Sequence, residues 1–311
     1  MAADVSRRDL TGSGRKLLRR LFDNPVVLKE LRGRMRGARA FIVLTVYLVL
    51  LGAFSSLIYV AISESSTSAG GQVTVGEIGR TLFGGVVAIE MLLVAFIAPA
   101  FTSGAISGER EHQTYDLLRT TLLPPRSFVL GKLLSAMSYV LLLLLAAIPL
   151  QSIAFFFGGV AETEVILSFI ILAATALLFS TIGIFFSARS RRTLSASVMT
   201  YASTMFIMFG LPIILGAVLL IVSFDDVQSS DGEAALLDFA GVILSTNPPA
   251  TALLTQYVLL NQRTIGVFDY TLNSGDKITL ISPWIPFTIL YVILTVVFFT
   301  LAVRRVRRQE E

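Results

Sequence analysis

Apolar positions along this chain gather into six long blocks, each almost free of charge, with short polar or basic clusters between them. The blocks run roughly over Ala40–Ile62, Thr81–Ser103, Leu133–Phe157, Val165–Phe186, Leu194–Ser223 and Trp284–Val303. A helix needs about 20 apolar residues to cross about 30 Å of hydrocarbon, and each block is long enough. The runs are too continuous for the alternating strands of a barrel, and lipid cannot satisfy an open backbone. The pattern therefore predicts an all-α integral membrane protein with six transmembrane helices over 40–303, a basic tail over 1–39 and another over 304–311. The fifth block is long enough to tilt, and Pro212 predicts a kink in it. The first block begins about forty residues in and is too long for a signal-peptide core, so no cleavable signal is expected.

The polar stretches carry their own periodicity. In the first tail, Asn24 suits an N-cap and Pro25 the first helical position. Val27, Leu28, Leu31 and Met35 then share one face, with Lys29, Glu30, Arg32, Arg34 and Arg36 around the rest. That is the pattern of a helix lying on the bilayer surface; a basic tail that only sets topology is the alternative. Leu17, Leu18, Leu21 and Phe22 repeat the pattern upstream. A second amphipathic segment lies between blocks two and three, over 107–123. Ser107 can cap it, Glu109 and Glu111 favour its first turn, and Pro124–Pro125 stop it. Thr114, Leu117, Leu118 and Leu122 fall on one face by spacing of three and four. Its leucines need an apolar cover from the spans, the bilayer or a partner.

Composition and charge refine the picture. Apolar residues are 54 % of the chain and charged residues 15 %, against about a quarter charged in soluble domains. Of the 25 Lys and Arg, 22 lie before span one, between spans two and three, between spans four and five, or after span six. Only Arg80, Arg263 and Lys277 fall on the other side, which instead carries eleven acidic residues. The bias predicts both termini in the cytoplasm, in a cytoplasmic membrane. The net charge of +4 thus faces anionic headgroups, and no nucleic-acid partner is expected.

Gly108-Glu109-Arg110-Glu111, Thr114, Leu117-Leu118, the proline break and Leu130-Gly131-Lys132 together resemble the signature of exporter-type (type-2) ATP-binding-cassette (ABC) transporter permeases. The resemblance extends over nearly the whole chain. It implies that 107–123 is a coupling helix docking in a groove of a separate ATPase subunit, with Leu117 and Leu118 filling the groove and Glu109, Arg110 and Glu111 at its rim. It further implies a second permease copy or a similar chain, and ATP and Mg on the partner ATPase rather than here. One departure stands out: the family often has glycine before the threonine, where this chain has Gln113.

Between spans five and six, 224–283 is a long segment expected outside. Ala234–Leu244 and Ala250–Leu260 are apolar but too short to span. They flank Thr246-Asn247-Pro248-Pro249, a turn with a helix-start signal. Re-entrant or surface helices are expected, the alternative being a small ectodomain with its own core.

Little conventional chemistry is written in the residues. No Gly-x-x-x-x-Gly-Lys-Ser/Thr phosphate loop, Gly-x-Ser-x-Gly or His-Glu-x-x-His occurs, so the chain is not expected to hydrolyse ATP or to be an enzyme. With one histidine, His112, and no cysteine, the usual zinc sites are unavailable and no metal is expected. One ionisable residue, Glu90, falls near mid-span. It either lines the solute path or pairs across subunits, or it is a protonated carboxyl bonded to a neighbouring helix. The reading is a permease subunit of an ATP-driven exporter of unknown solute. Its rivals are an ATP-independent transporter or channel and a membrane scaffold.

Overall fold

A computed structural model describes residues 38–68, 74–115, 124–221, 243–271 and 277–308, with 239 and 241. Six helical segments are long and apolar enough to cross a membrane, in the order and places the sequence predicts. Span 1 is Ala38–Ser68, span 2 Val75–Thr102, span 3 Pro125–Phe156, span 4 Glu162–Arg189 and span 6 Trp284–Arg307. Span 5 is built in three pieces, Thr193–Met205, a π turn Phe206–Gly210, and Leu211–Ile221. The surface helix predicted on Val27, Leu28, Leu31 and Met35 lies outside the described residues.

Span 4 is the axle of the bundle, packing along spans 2, 3 and 6. The shared core takes Met91, Val94 and Ala98 from span 2, Val129, Leu133 and Val140 from span 3, Ile171, Leu178 and Phe179 from span 4, and Phe287 and Tyr291 from span 6. Among the described residues span 1 packs mainly on spans 2 and 3, through Tyr47 and Leu51 against Val86, Tyr139 and Leu143. Its other faces leave Phe41, Ile42, Val49 and Leu57 uncovered. In lipid such faces need no protein cover, so contact here is set by packing and hydrogen bonds rather than by hiding leucine from water. Three buried hydroxyls, of Thr102, Thr175 and Thr200, each donate to the carbonyl four residues back.

One close approach lies where spans 2 and 4 meet at their basic ends. A Cβ on Gly183 would fall 2.1 Å from Thr102 Oγ1, so only glycine lets the two backbones come this near. Beyond that point Ser187, Ser103 and Ser197 line the seam between spans 2, 4 and 5, with Ser103 and Ser197 hydroxyls 3.0 Å apart.

Span 5 is not simply kinked at Pro212. The Leu211 N–H bonds Phe206 O, five residues back, as in a π turn. Pro212 has no N–H, so Ile207 O and Met208 O lack the donor that position 212 would otherwise supply. Both are satisfied from elsewhere. The side-chain amide of Asn247 donates to Ile207 O and to Met208 O, each at 2.8 Å. Ile207 stands fourteen residues beyond Thr193, about 21 Å along the helix and so within the hydrocarbon depth. The polar turn at Asn247 therefore packs against an apolar stretch of span 5 and is covered by protein: Asn247 is 2 % exposed.

The same asparagine starts the next helix, Pro248–Gln262, accepting the Ala250 N–H on its side-chain oxygen at 3.0 Å. Tyr291 of span 6 donates to Thr246 O at 2.9 Å and fixes the turn from the other side. Ala250–Leu260 is helical, within Pro248–Gln262, while most of Ala234–Leu244 lies outside the described residues. An all-helical outer segment is not what forms, however. Val267–Thr271 and Lys277–Ile281 pair as a two-stranded antiparallel hairpin. Period-two alternation, as in Ile278 and Leu280 beside Lys277 and Thr279, was the available signal.

Candidate functional site: the segment between spans 2 and 3

Span 2 stops being regular after Thr102 and turns through 103–106. The turn is held from span 4, where the Ser187 hydroxyl accepts the Ile106 N–H at 2.9 Å and the Ser107 N–H at 3.0 Å. A five-residue helix, Ser107–Glu111, follows, with Ile106 at its N-cap position. Ser107 is thus not the cap its sequence suggests. It is buried, and its hydroxyl donates to Ser103 O.

Nor does one helix run from 107 to 123. His112 ends the short helix, Gln113 takes φ 58°, and helix resumes at Tyr115. The left-handed conformation at Gln113 puts a Cβ where glycine would be unstrained. The position is the one where the resembled family often carries glycine. Gln113→Gly should therefore leave the protein folded and raise its stability by up to about 1 kcal/mol in a denaturant titration; Gln113→Val should lower it.

Three successive charged residues of the short helix each reach a different span of their own chain. Glu109 Oε1 accepts from Lys132 Nζ of span 3 at 2.9 Å, and the ammonium end lies in a side chain only 6 % exposed. The other Glu109 oxygen accepts from the Thr114 hydroxyl at 2.5 Å, folding the chain back past Gln113. Arg110 donates to Ser190 O, at the end of span 4, at 3.1 Å, and its guanidinium lies 5.0 Å from the centre of the Tyr115 ring. Glu111 accepts from the hydroxyl of Thr193, the first residue of span 5, at 2.6 Å. That hydrogen bond holds the Glu111 carboxyl below its usual range, at the exposed end of the segment beyond the apolar stretch. Tyr115 also meets Phe128 of span 3 edge to face, with ring centres 6.4 Å apart.

Of the residues singled out by sequence, the structure brings Glu109, Arg110, Glu111 and Thr114 into one cluster. Leu117, Leu118 and Leu122 lie outside the described residues. Lys132, Ser187, Ser190 and Thr193 complete the cluster and were not marked by any spacing rule. Lys132 stood in the sequence as the end of Leu130-Gly131-Lys132, and as a cation among apolar residues at the start of a span it asks for a partner.

A family model described as an ABC-2 family transporter protein matches residues 25–310. The chain belongs to that family. It is a multi-pass membrane permease subunit of an ABC transporter, a class of chain that works with an ABC ATPase and is not itself that ATPase. Among curated proteins, none matches it.

In this ABC-2 permease the mid-span acid has a partner within the chain. Glu90 is 0 % exposed and Gln151 of span 3 is 4 % exposed. The Gln151 Nε2 donates to both Glu90 oxygens, at 2.9 and 2.8 Å. Among the described residues no group of His, Asp and Glu could hold a metal ion.

Proposed function

We propose that this permease is the membrane half of an ATP-driven exporter and that 107–123 couples it to a separate ATPase. The carrying observation is that Glu109, Arg110 and Glu111 join spans 3, 4 and 5 immediately ahead of the stretch that holds Leu117, Leu118 and Leu122. A force applied beyond Tyr115 then reaches three spans through short, charge-assisted bonds rather than through a loose loop. In this reading the basic face is cytoplasmic, both termini lie inside, and the membrane is the cytoplasmic one. Two copies, or this chain and a similar one, stand side by side. ATP and Mg bind the partner ATPases, whose closure drives the segment. Span faces left open in one chain, such as Leu194, Val198 and Phe206 on span 5, are available for the second copy. Glu90 acts as a tie between spans 2 and 3 rather than as a group of the solute path, because its oxygens are taken by Gln151.

The chain has no cysteine, so single thiols can be placed at will. Cysteines introduced singly over 109–122, in membranes containing the complex, are expected to cross-link to an ATPase polypeptide. No cross-link from any of these positions, or labelling of the stretch by a thiol reagent confined to the outside, overturns the proposal. For Glu90, Glu90→Gln should leave nucleotide-driven transport unchanged.

A further inference from the structure

Span 6 sets the level of the hairpin that precedes it. Its arginines begin at Arg304, and Trp284 stands twenty residues earlier. That is about 30 Å along the helix, about the thickness of the hydrocarbon. With Arg304 and Arg305 exposed at one boundary, the chain's one tryptophan falls at the other, where indole rings favour the meeting of headgroups and acyl chains. Trp284 holds the root of the hairpin at that level. Its Nε1 donates to Ile265 O at 2.8 Å, and the Ser282 N–H donates to Gly266 O, also at 2.8 Å.

The strand register sorts the hairpin into two faces. One carries the pairs Phe268–Leu280 and Tyr270–Ile278 and is apolar along its length. The other is graded. Val267 pairs with Ile281 at the root, Asp269 with Thr279 above them, and Thr271 with Lys277 at the far end. The Thr279 hydroxyl donates to the Asp269 carboxylate at 3.2 Å. In water the aliphatic root pair would be hidden, yet Val267 and Ile281 are 51 % and 61 % exposed, with Ile265 just before them at 48 %. Among the described residues no other element packs extensively on either strand, and a two-stranded hairpin alone is marginally stable in water at best.

The grading distinguishes what covers the root. A protein partner laid along the hairpin would ask for one face apolar from end to end. A bilayer boundary asks for apolar side chains at one level and polar ones above it, and its headgroup layer is about 5–7 Å deep. Four residues separate Val267 from Thr271, about 14 Å at 3.4 Å per residue, enough to leave that layer. The tip points to water, because the opposite direction would carry Lys277 into hydrocarbon. Span 6, which starts three residues after Ile281, leaves Ile289, Val292 and Ile293 uncovered as well.

We propose that the root of this hairpin is a lipid-binding surface, with Ile265, Val267 and Ile281 seated among the headgroup ends of the acyl chains and Thr271 and Lys277 standing in water. The hairpin thereby anchors the end of the helix Pro248–Gln262 to the bilayer on the side opposite the arginines. This rests on the placing of span 6 in the membrane and requires no ATPase.

The test uses the full chain in nanodiscs of palmitoyl-oleoyl phosphatidylcholine, with nitroxide labels on Val267→Cys, Ile281→Cys, Thr271→Cys and Lys277→Cys, one at a time; the chain has no cysteine of its own. All four positions lie on the graded face and differ only in height. Collisions with oxygen, which concentrates in the bilayer, are compared with collisions with a water-soluble nickel chelate. The oxygen-to-nickel ratio is expected to be several-fold higher at 267 and 281 than at 271 and 277. Equal ratios at root and tip overturn the proposal. So do root labels shielded from both reagents and broadened by a second spin, which would give the surface to another copy of the chain. If Val267→Cys does not fold, the ratio at 281 against 277 decides alone.

Discussion

Replacing Asn247 by alanine should cost the folded protein on the order of 2–6 kcal/mol, because two carbonyls at membrane depth lose their donor together. The Leu211 N–H is turned to Phe206 O and Pro212 has no N–H, so Asn247 donates where position 212 otherwise would. The cost should shrink when Pro212→Ala is added. Alanine restores a backbone donor, and the segment can then close as continuous α-helix. Denaturant titrations of both single variants and the double variant in detergent measure the coupling. A value of about 1–3 kcal/mol is expected, and strictly additive effects would show that Asn247 does not stand in for the missing proline donor.

The second large effect concerns Glu109 and Lys132. Glu109→Lys sets two ammonium groups together where one is nearly buried, a loss of about 3–5 kcal/mol for a broken buried pair. It should also disconnect span 3 from the segment proposed to meet the ATPase. Spin labels at Arg126→Cys and Arg192→Cys, both exposed at the heads of spans 3 and 5, report this in the complex with its ATPase. ATP should change their separation in the otherwise unaltered protein and not in Glu109→Lys. Adding Lys132→Glu to Glu109→Lys should bring the response back. A stable swapped protein that stays unresponsive would reject the pair as a mechanical link, whatever its role in stability.

The six spans were legible because each is a local property: length and apolarity within one stretch decide it. The Asn247 cap was legible for the same reason, since Asn-Pro-Pro is a local helix start. What Asn247 does with its amide was not, because the carbonyls it meets lie 40 and 39 residues away. Pro212 announced a defect in span 5 without saying whether a kink or a π turn would absorb it. Ser107 misled for a related reason: its hydroxyl can cap a helix, yet burial beside Ser187 gave it another acceptor. Gln113 marked the true break. Its departure from glycine is visible in the residues, but the left-handed backbone that glycine would serve is visible only in three dimensions.

A π turn contains one residue more than the α-helix it interrupts, and this gives span 5 one place where its length can change. Each residue turns a helix by about 100°. Deleting a single amino acid between Phe206 and Gly210 would let the turn close as α-helix and leave Leu211 and Ile214 facing the groove they share with Leu290 and Leu294 of span 6. The same deletion within Thr193–Met205 would instead rotate the rest of the helix away from its neighbours.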